Sequence, residues 1–120
     1  MPSTEKKSRT AFINPNSLHE KMMKRIDESG YNKKQKSQWI CEAIEMFIEY
    51  KDAIEQVSYQ GKMTSKPDEK PSHEVIYIST ELKRKLFDLQ IQVKTKFPEL
   101  DSVQSRIIRA AIRQRILRHR

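Results

Sequence analysis

The stretch at residues 36–48, KSQWICEAIEMFI, returns in altered form at residues 104–116, QSRIIRAAIRQRI. Setting Ser37 on Ser105 places Ile40 on Ile108, Ala43 on Ala111, Ile44 on Ile112 and Ile48 on Ile116. These positions keep the i, i+3, i+4 rhythm of a helix with one apolar face. A helix written twice in this way predicts a chain built twice. The flanks agree. A strand-like run at 9–13 precedes a helical pattern from about 16 to 29 with Leu18, Met22 and Ile26 on one face. A second run at 74–78 precedes a pattern carrying Leu82, Leu86, Leu89 and Val93, opened by Ser79, Thr80 and Glu81. Each half reads strand, helix, connection, helix.

Neither half can fold alone. Only 36% of the 120 residues are hydrophobic and 33% are charged, and a chain of about 45 residues leaves too much surface exposed. The two halves must share a core or pair with another chain. Charge is uneven: residues 1–57 carry ten Lys/Arg against nine Asp/Glu, and residues 58–120 carry fourteen against seven. The net +8 points to an anionic partner, with a solvated basic surface as the plain alternative.

The expected organisation is a flexible basic arm over 1–8, a first unit over 9–57, a linker over 58–72 and a second unit over 73–120. The linker, SYQGKMTSKPDEKPS, is marked by Gly61, Pro67 and Pro71. It spans about 50 Å when extended, enough for the second half to reach back over the first. Ser17 and Glu20 have capping-box spacing, and Gly30 suits a left-handed helix end. The 36–48 helix is expected to run on to about Val57. Trp39, Phe47 and Tyr50 fit a core better than a stacking platform. Lys33, Lys34 and Lys36 crowd the start of that helix, where backbone N–H groups can also hold a phosphate. Arg106, Arg109, Arg113, Arg115, Arg118 and Arg120 exceed what the helix dipole needs and suggest a phosphate- or partner-facing surface.

Catalysis is not expected. There is no phosphate loop, and His19, His73 and His119 lack metal-ligand spacing. The single Cys41 has no companion thiol and reads as a core-edge residue of a reducing compartment. No cofactor, metal or catalytic residue is assigned. No signal peptide or membrane-spanning run is read, so the expected location is cytoplasmic, on nucleoid or plasmid DNA.

Strand, helix, turn and helix with a Ser-x-x-Ile-x-x-Ala-Ile core resembles the ribbon-helix-helix family of DNA-binding proteins. The resemblance rests on Ser37-Gln-Trp-Ile-Cys-Glu-Ala-Ile, Ser105-Arg-Ile-Ile-Arg-Ala-Ala-Ile and Ile78-Ser-Thr-Glu-Leu82, and covers about 90 residues. It implies a mainly α fold with a short two-stranded antiparallel ribbon. Two ribbon-helix-helix units, β-α-α twice, would form an intrachain pseudo-dimer. The ribbon would enter the major groove of double-stranded DNA. Lys7, Lys33, Lys34, Lys36, Ser37, Ser102, Gln104 and Ser105 would contact flanking phosphates.

Strand parity decides which residues face DNA. The family match buries Ile76 and Ile78 and turns His73, Val75 and Tyr77 outward. In the first strand, an ungapped match buries Thr10, Phe12 and Asn14. Burying Asn14 unpartnered costs about 1–3 kcal/mol. One extra residue at Pro15-Asn16 is therefore preferred, burying Ala11 and Ile13 and facing Thr10, Phe12 and Asn14 outward. Arg9 lies near a phosphate or a guanine in either register.

The expected function is sequence-specific DNA binding as a transcriptional repressor or autoregulator, with self-association on adjacent sites. A second reading keeps the fold and makes the chain an accessory protein of plasmid transfer or partition. A third, of another class, is a helical adaptor or antitoxin. It is disfavoured because no toxin-binding tail follows the last helix.

Overall fold

The computed structural model describes residues 7–63 and 68–118. The chain runs β1 (Lys7–Pro15), α1 (Asn16–Glu28), a 3-10 turn (Lys33–Gln35), α2 (Lys36–Ile48), α3 (Ala53–Gln60), β2 (Pro71–Ser79), α4 (Thr80–Lys96) and α5 (Val103–Arg118). β1 and β2 pair antiparallel along their whole length, from Lys7 opposite Ser79 to Pro15 opposite Pro71. Neither strand has another sheet neighbour.

This corrects the expected pair of β-α-α units. Among the described residues there is one two-stranded sheet and five α-helices, not two repeated units. The first half also carries an additional helix. The stretch after Ile48 does not prolong α2: the chain turns through residues 49–52 and restarts as α3. Residues 58–60, expected in the linker, close that helix. α3 ends at Gly61, which sits against the backbone of α5. A Cβ there would lie 2.5 Å from the carbonyl oxygens of Arg106 and Val57, so only glycine allows the approach.

Both strands are longer than the sequence suggested. Lys7 and Ser8, read as part of the arm, belong to β1. Residues 1–6, 64–67 and 119–120 lie outside the described residues, and with them the rest of the arm, part of the linker, His119 and Arg120. Gly30 takes the left-handed turn after α1, at φ 85°. The Ser17–Glu20 capping box does not form. Glu69, from the segment before β2, instead accepts from Ser17 N and Ser17 Oγ at 3.3 Å each. A carboxylate at a helix N-terminus answers both the unpaired N–H groups and the dipole.

One core unites all the elements. Ile40, Ala43 and Ile44 of α2 and Ile108, Ala111 and Ile112 of α5 are buried, beside Trp39 and Phe47. α1 contributes Leu18, Met22 and Ile26. α4 contributes Leu82, Leu86, Leu89 and Val93, and the sheet adds Phe12, Ile76 and Ile78. Burying each large side chain contributes about 1.5–3 kcal/mol. The radius of gyration, 14.1 Å, matches the ~14 Å of a single globule of this length.

Arg109, Arg113 and Arg115 of α5 tie elements of this core together instead of forming an open phosphate-facing stripe, while Arg118 is exposed. Arg109 is only 4% exposed. Its Nε donates to Gly61 O at 2.8 Å and its Nη1 to Ile13 O at 2.7 Å. Arg113 Nη1 donates to Lys62 O at 2.7 Å and also to Gln60 O. Arg115 Nη1 donates to Trp39 O at 2.7 Å, while its guanidinium lies 4.6 Å from the Trp39 ring centroid. Arg118 stacks over Tyr50 at 4.9 Å. Arg106 Nε donates to Asp101 O at 3.2 Å. A planar guanidinium with several donors suits such ties between elements.

Candidate nucleic-acid interface

The sheet has one covered face and one open face. Side chains alternate along a strand, so the register fixes both faces. Thr10, Phe12, Asn14, Glu74, Ile76 and Ile78 point down onto the helices and are buried. Lys7, Arg9, Ala11 and Ile13 of β1 point away, as do His73, Val75 and Tyr77 of β2. Across the ribbon, Arg9 lies opposite Tyr77, Ala11 opposite Val75 and Ile13 opposite His73.

His73, Val75 and Tyr77 therefore face outward as expected, and so does Arg9. The preferred parity of the first strand is corrected. Thr10, Phe12 and Asn14 are buried and Ala11 and Ile13 are exposed. The physical reason is visible on the inner face. Phe12 has the larger apolar surface to hide, and Asn14 does find a partner there: its Nδ2 lies 3.4 Å from Glu74 Oε2. The objection to burying Asn14 assumed it would have none.

Glu74 is the hub of this inner polar cluster. It is 2% exposed. Lys36 Nζ donates to its Oε1 at 3.0 Å, and His19 Nδ1 hydrogen-bonds its Oε2. Burial alone would raise the carboxyl pKa. The hydrogen bonds and charges of Lys36 and His19 outweigh it and hold Glu74 below the ordinary carboxylate value. Lys36 is thereby corrected from a phosphate ligand to a structural partner, its ammonium turned under the sheet.

Two helix N-termini flank the ribbon. α2 lies along β2: Tyr77 N donates to Ser37 Oγ at 3.2 Å, and Cys41 Sγ donates to Tyr77 O at 3.4 Å. Lys7, Lys34, Ser37, Tyr77 and Ser79 line one groove there, together with Gln38, Cys41, Glu42 and Glu45 of α2 and Leu82. Lys33 and Lys34 are exposed on the 3-10 turn just before α2. Asn32 and Gln35 fix that turn with a reciprocal capping box. Glu42 is tied to Tyr31 and Arg115. Cys41 is half-buried. Burial first, then the charge of Glu45, push its thiol up to about 11, against the opposing charge of Lys7.

α5 flanks β1 in the corresponding way. Gln104 Nε2 donates to Ala11 O at 3.3 Å, and its Oε1 accepts from Gln90. Gln104 thus serves the strand edge and is corrected as a phosphate contact. Ser102 is exposed at the turn into α5, with φ 51°, and Ser105 is half-buried in the first turn. Neither α2 nor α5 has an acidic residue in its first turn. The structure thus gathers Lys7, Arg9, Lys34, Ser37 and Tyr77 at one end of the ribbon, with Lys33 beside them. Ser102 and Ser105 lie apart, on the α5 side.

No family model, curated protein or solved structure matches the chain. Among the described residues, no group of three or more His, Cys, Asp or Glu side chains could hold a metal ion. No helix there is long and apolar enough to cross a membrane. Sequence reasoning set aside the register that turns Ala11 and Ile13 outward, and it missed Glu74 as the buried hub. The available signal was the alternation itself: Glu74 keeps step with Ile76 and Ile78 and must share their face.

Proposed function

We propose that the chain binds double-stranded DNA by laying the outer face of the β1–β2 ribbon in the major groove, and that it represses transcription by occupying its site. The observation carrying this reading is the uncovered ribbon face. Two strands about 4.8 Å apart are narrow enough for a groove about 12 Å wide. The outer face carries Arg9, Tyr77 and His73, while the inner face, with Phe12, Ile76 and Ile78, is buried in the core. Nine residues per strand extend about 30 Å, several base steps along the groove.

The flanks suit phosphate. Lys7, Lys33 and Lys34 are exposed beside the ribbon, next to the first turn of α2, which carries no acidic residue. The resemblance of the sequence to ribbon-helix-helix proteins implies the same mode of docking.

The test is a duplex titration at two salt concentrations. Neutralising about three phosphates, through Lys7, Lys33 and Lys34, predicts a log–log salt slope near −2.7. Affinity should then fall about 40-fold between 50 and 200 mM salt. A flat response would refute the reading.

A further inference from the structure

We infer that the ribbon reads a site without twofold symmetry, in a single orientation, with guanine under its Arg9–Tyr77 end and thymine methyls under its Ala11–Val75 centre. This rests on the DNA reading above and adds the class of sequence recognised.

The ribbon's two ends are chemically unlike. At one end Arg9 lies opposite Tyr77, and Lys7 opposite Ser79. Arg9 is exposed and has no ion-pair partner among the described residues. A guanidinium can donate two parallel hydrogen bonds to guanine O6 and N7, the strongest base-edge contact open to it. Tyr77, 52% exposed, adds a hydroxyl beside it. At the other end Ile13 lies opposite His73, and Ile13 has no polar side-chain atom to offer a base.

The centre is apolar. Ala11 and Val75 carry only carbon beyond the backbone, so they can respond to one major-groove feature, the C5-methyl of thymine. A guanine or cytosine there leaves its polar groups facing alkyl groups, which costs free energy.

The flanks repeat the asymmetry. Lys7 and Lys34 share the groove beside Tyr77. Glu42 in that groove is held by Tyr31 and Arg115, which leaves Glu45 as its unpaired acid. On the α5 side, residues 99–105 contain Glu99 and Asp101 and no lysine or arginine. Rotating the chain by half a turn on a palindrome would exchange the Lys7–Arg9 end for the Ile13–His73 end, so one orientation is favoured.

The experiment is a selection of bound duplexes from random DNA, run on the full chain and on Arg9→Ala and Ile13→Ala. Both residues are exposed, so each variant keeps the fold. The expected result is a motif without twofold symmetry, with guanine at one end and thymine at the centre. Arg9→Ala should relax that guanine alone, by roughly 5- to 150-fold in preference. Ile13→Ala should leave the guanine unchanged. A palindromic motif, or loss spread equally over both ends in Arg9→Ala, would overturn the inference while leaving DNA binding intact. Enrichment of no duplex at all would overturn the DNA reading itself.

Discussion

Replacing Arg109 with methionine tests how the fold is tied together. Arg109 links α5 to both the end of α3 and β1, through Gly61 O at 2.8 Å and Ile13 O at 2.7 Å. Methionine fills similar space and keeps most of the apolar contact, so the loss falls on the two hydrogen bonds. Bonds from a charged donor contribute about 1.5–3 kcal/mol each. The guanidinium has a cost of its own. Burial first, then the like charges of Arg113 and Arg106, bring its pKa down to about 10. Removing that charge offsets part of the loss and sets the net destabilisation near the lower end, about 3 kcal/mol. For a domain of this size that lowers Tm by about 12 °C. Thermal unfolding followed by circular dichroism measures it, and amide exchange should quicken first in residues 53–61, which lose one of their arginine ties to α5 while Arg113 still holds Gln60 O. Arg9→Ala, at an exposed position, is the control and should move Tm by less than about 2 °C. An Arg109→Met protein melting within that same margin would refute the clamp.

Two further outcomes follow from the packing and the inner cluster. Gly61→Ala forces a Cβ to 2.5 Å from two backbone oxygens; chemical denaturation should show a loss of about 1–3 kcal/mol, and unchanged stability would mean that α3 does not sit where the structure places it. Glu74 has a folded pKa below its ordinary 4.5, so its contribution is fully present above pH 4.5 and is lost as pH falls through the lower, folded value. The stability gap between the natural chain and Glu74→Gln should therefore be constant near neutral pH and close under acid; a gap that widens on acidification would contradict the Lys36–Glu74–His19 cluster.

Periodicity made the helices legible, and alternation made the second strand legible. Leu18, Met22 and Ile26 are buried together, as are Leu82, Leu86, Leu89 and Val93, because a 3.6-residue repeat leaves one placement for the apolar stripe. The first strand was harder. Thr10, Phe12 and Asn14 mix polar and apolar groups on one face, and only the partner brought by Glu74, sixty residues away, decides the parity. The arginines of α5 misled for a related reason. A run of cations on a helix looks like a solvent-facing stripe until the carbonyls of Gly61, Ile13 and Trp39 are seen to meet it. Repetition misled in another way. The equivalence of 36–48 and 104–116 is real in burial, yet it gave no sign of α3. Lys36 shows the same limit, since lysines at 33, 34 and 36 look alike in sequence and only one is claimed from within.

The side chains that lie along the two strands bear on how the protein behaves in company. The peptide groups of Tyr77 are taken by Ser37 and Cys41, and the outward carbonyls of Ala11 and Ile13 by Gln104 and Arg109. A bare strand border invites a third strand from another molecule, the first step towards amyloid-like stacking. Here part of each border is already occupied, which leaves fewer open peptide groups for an added strand.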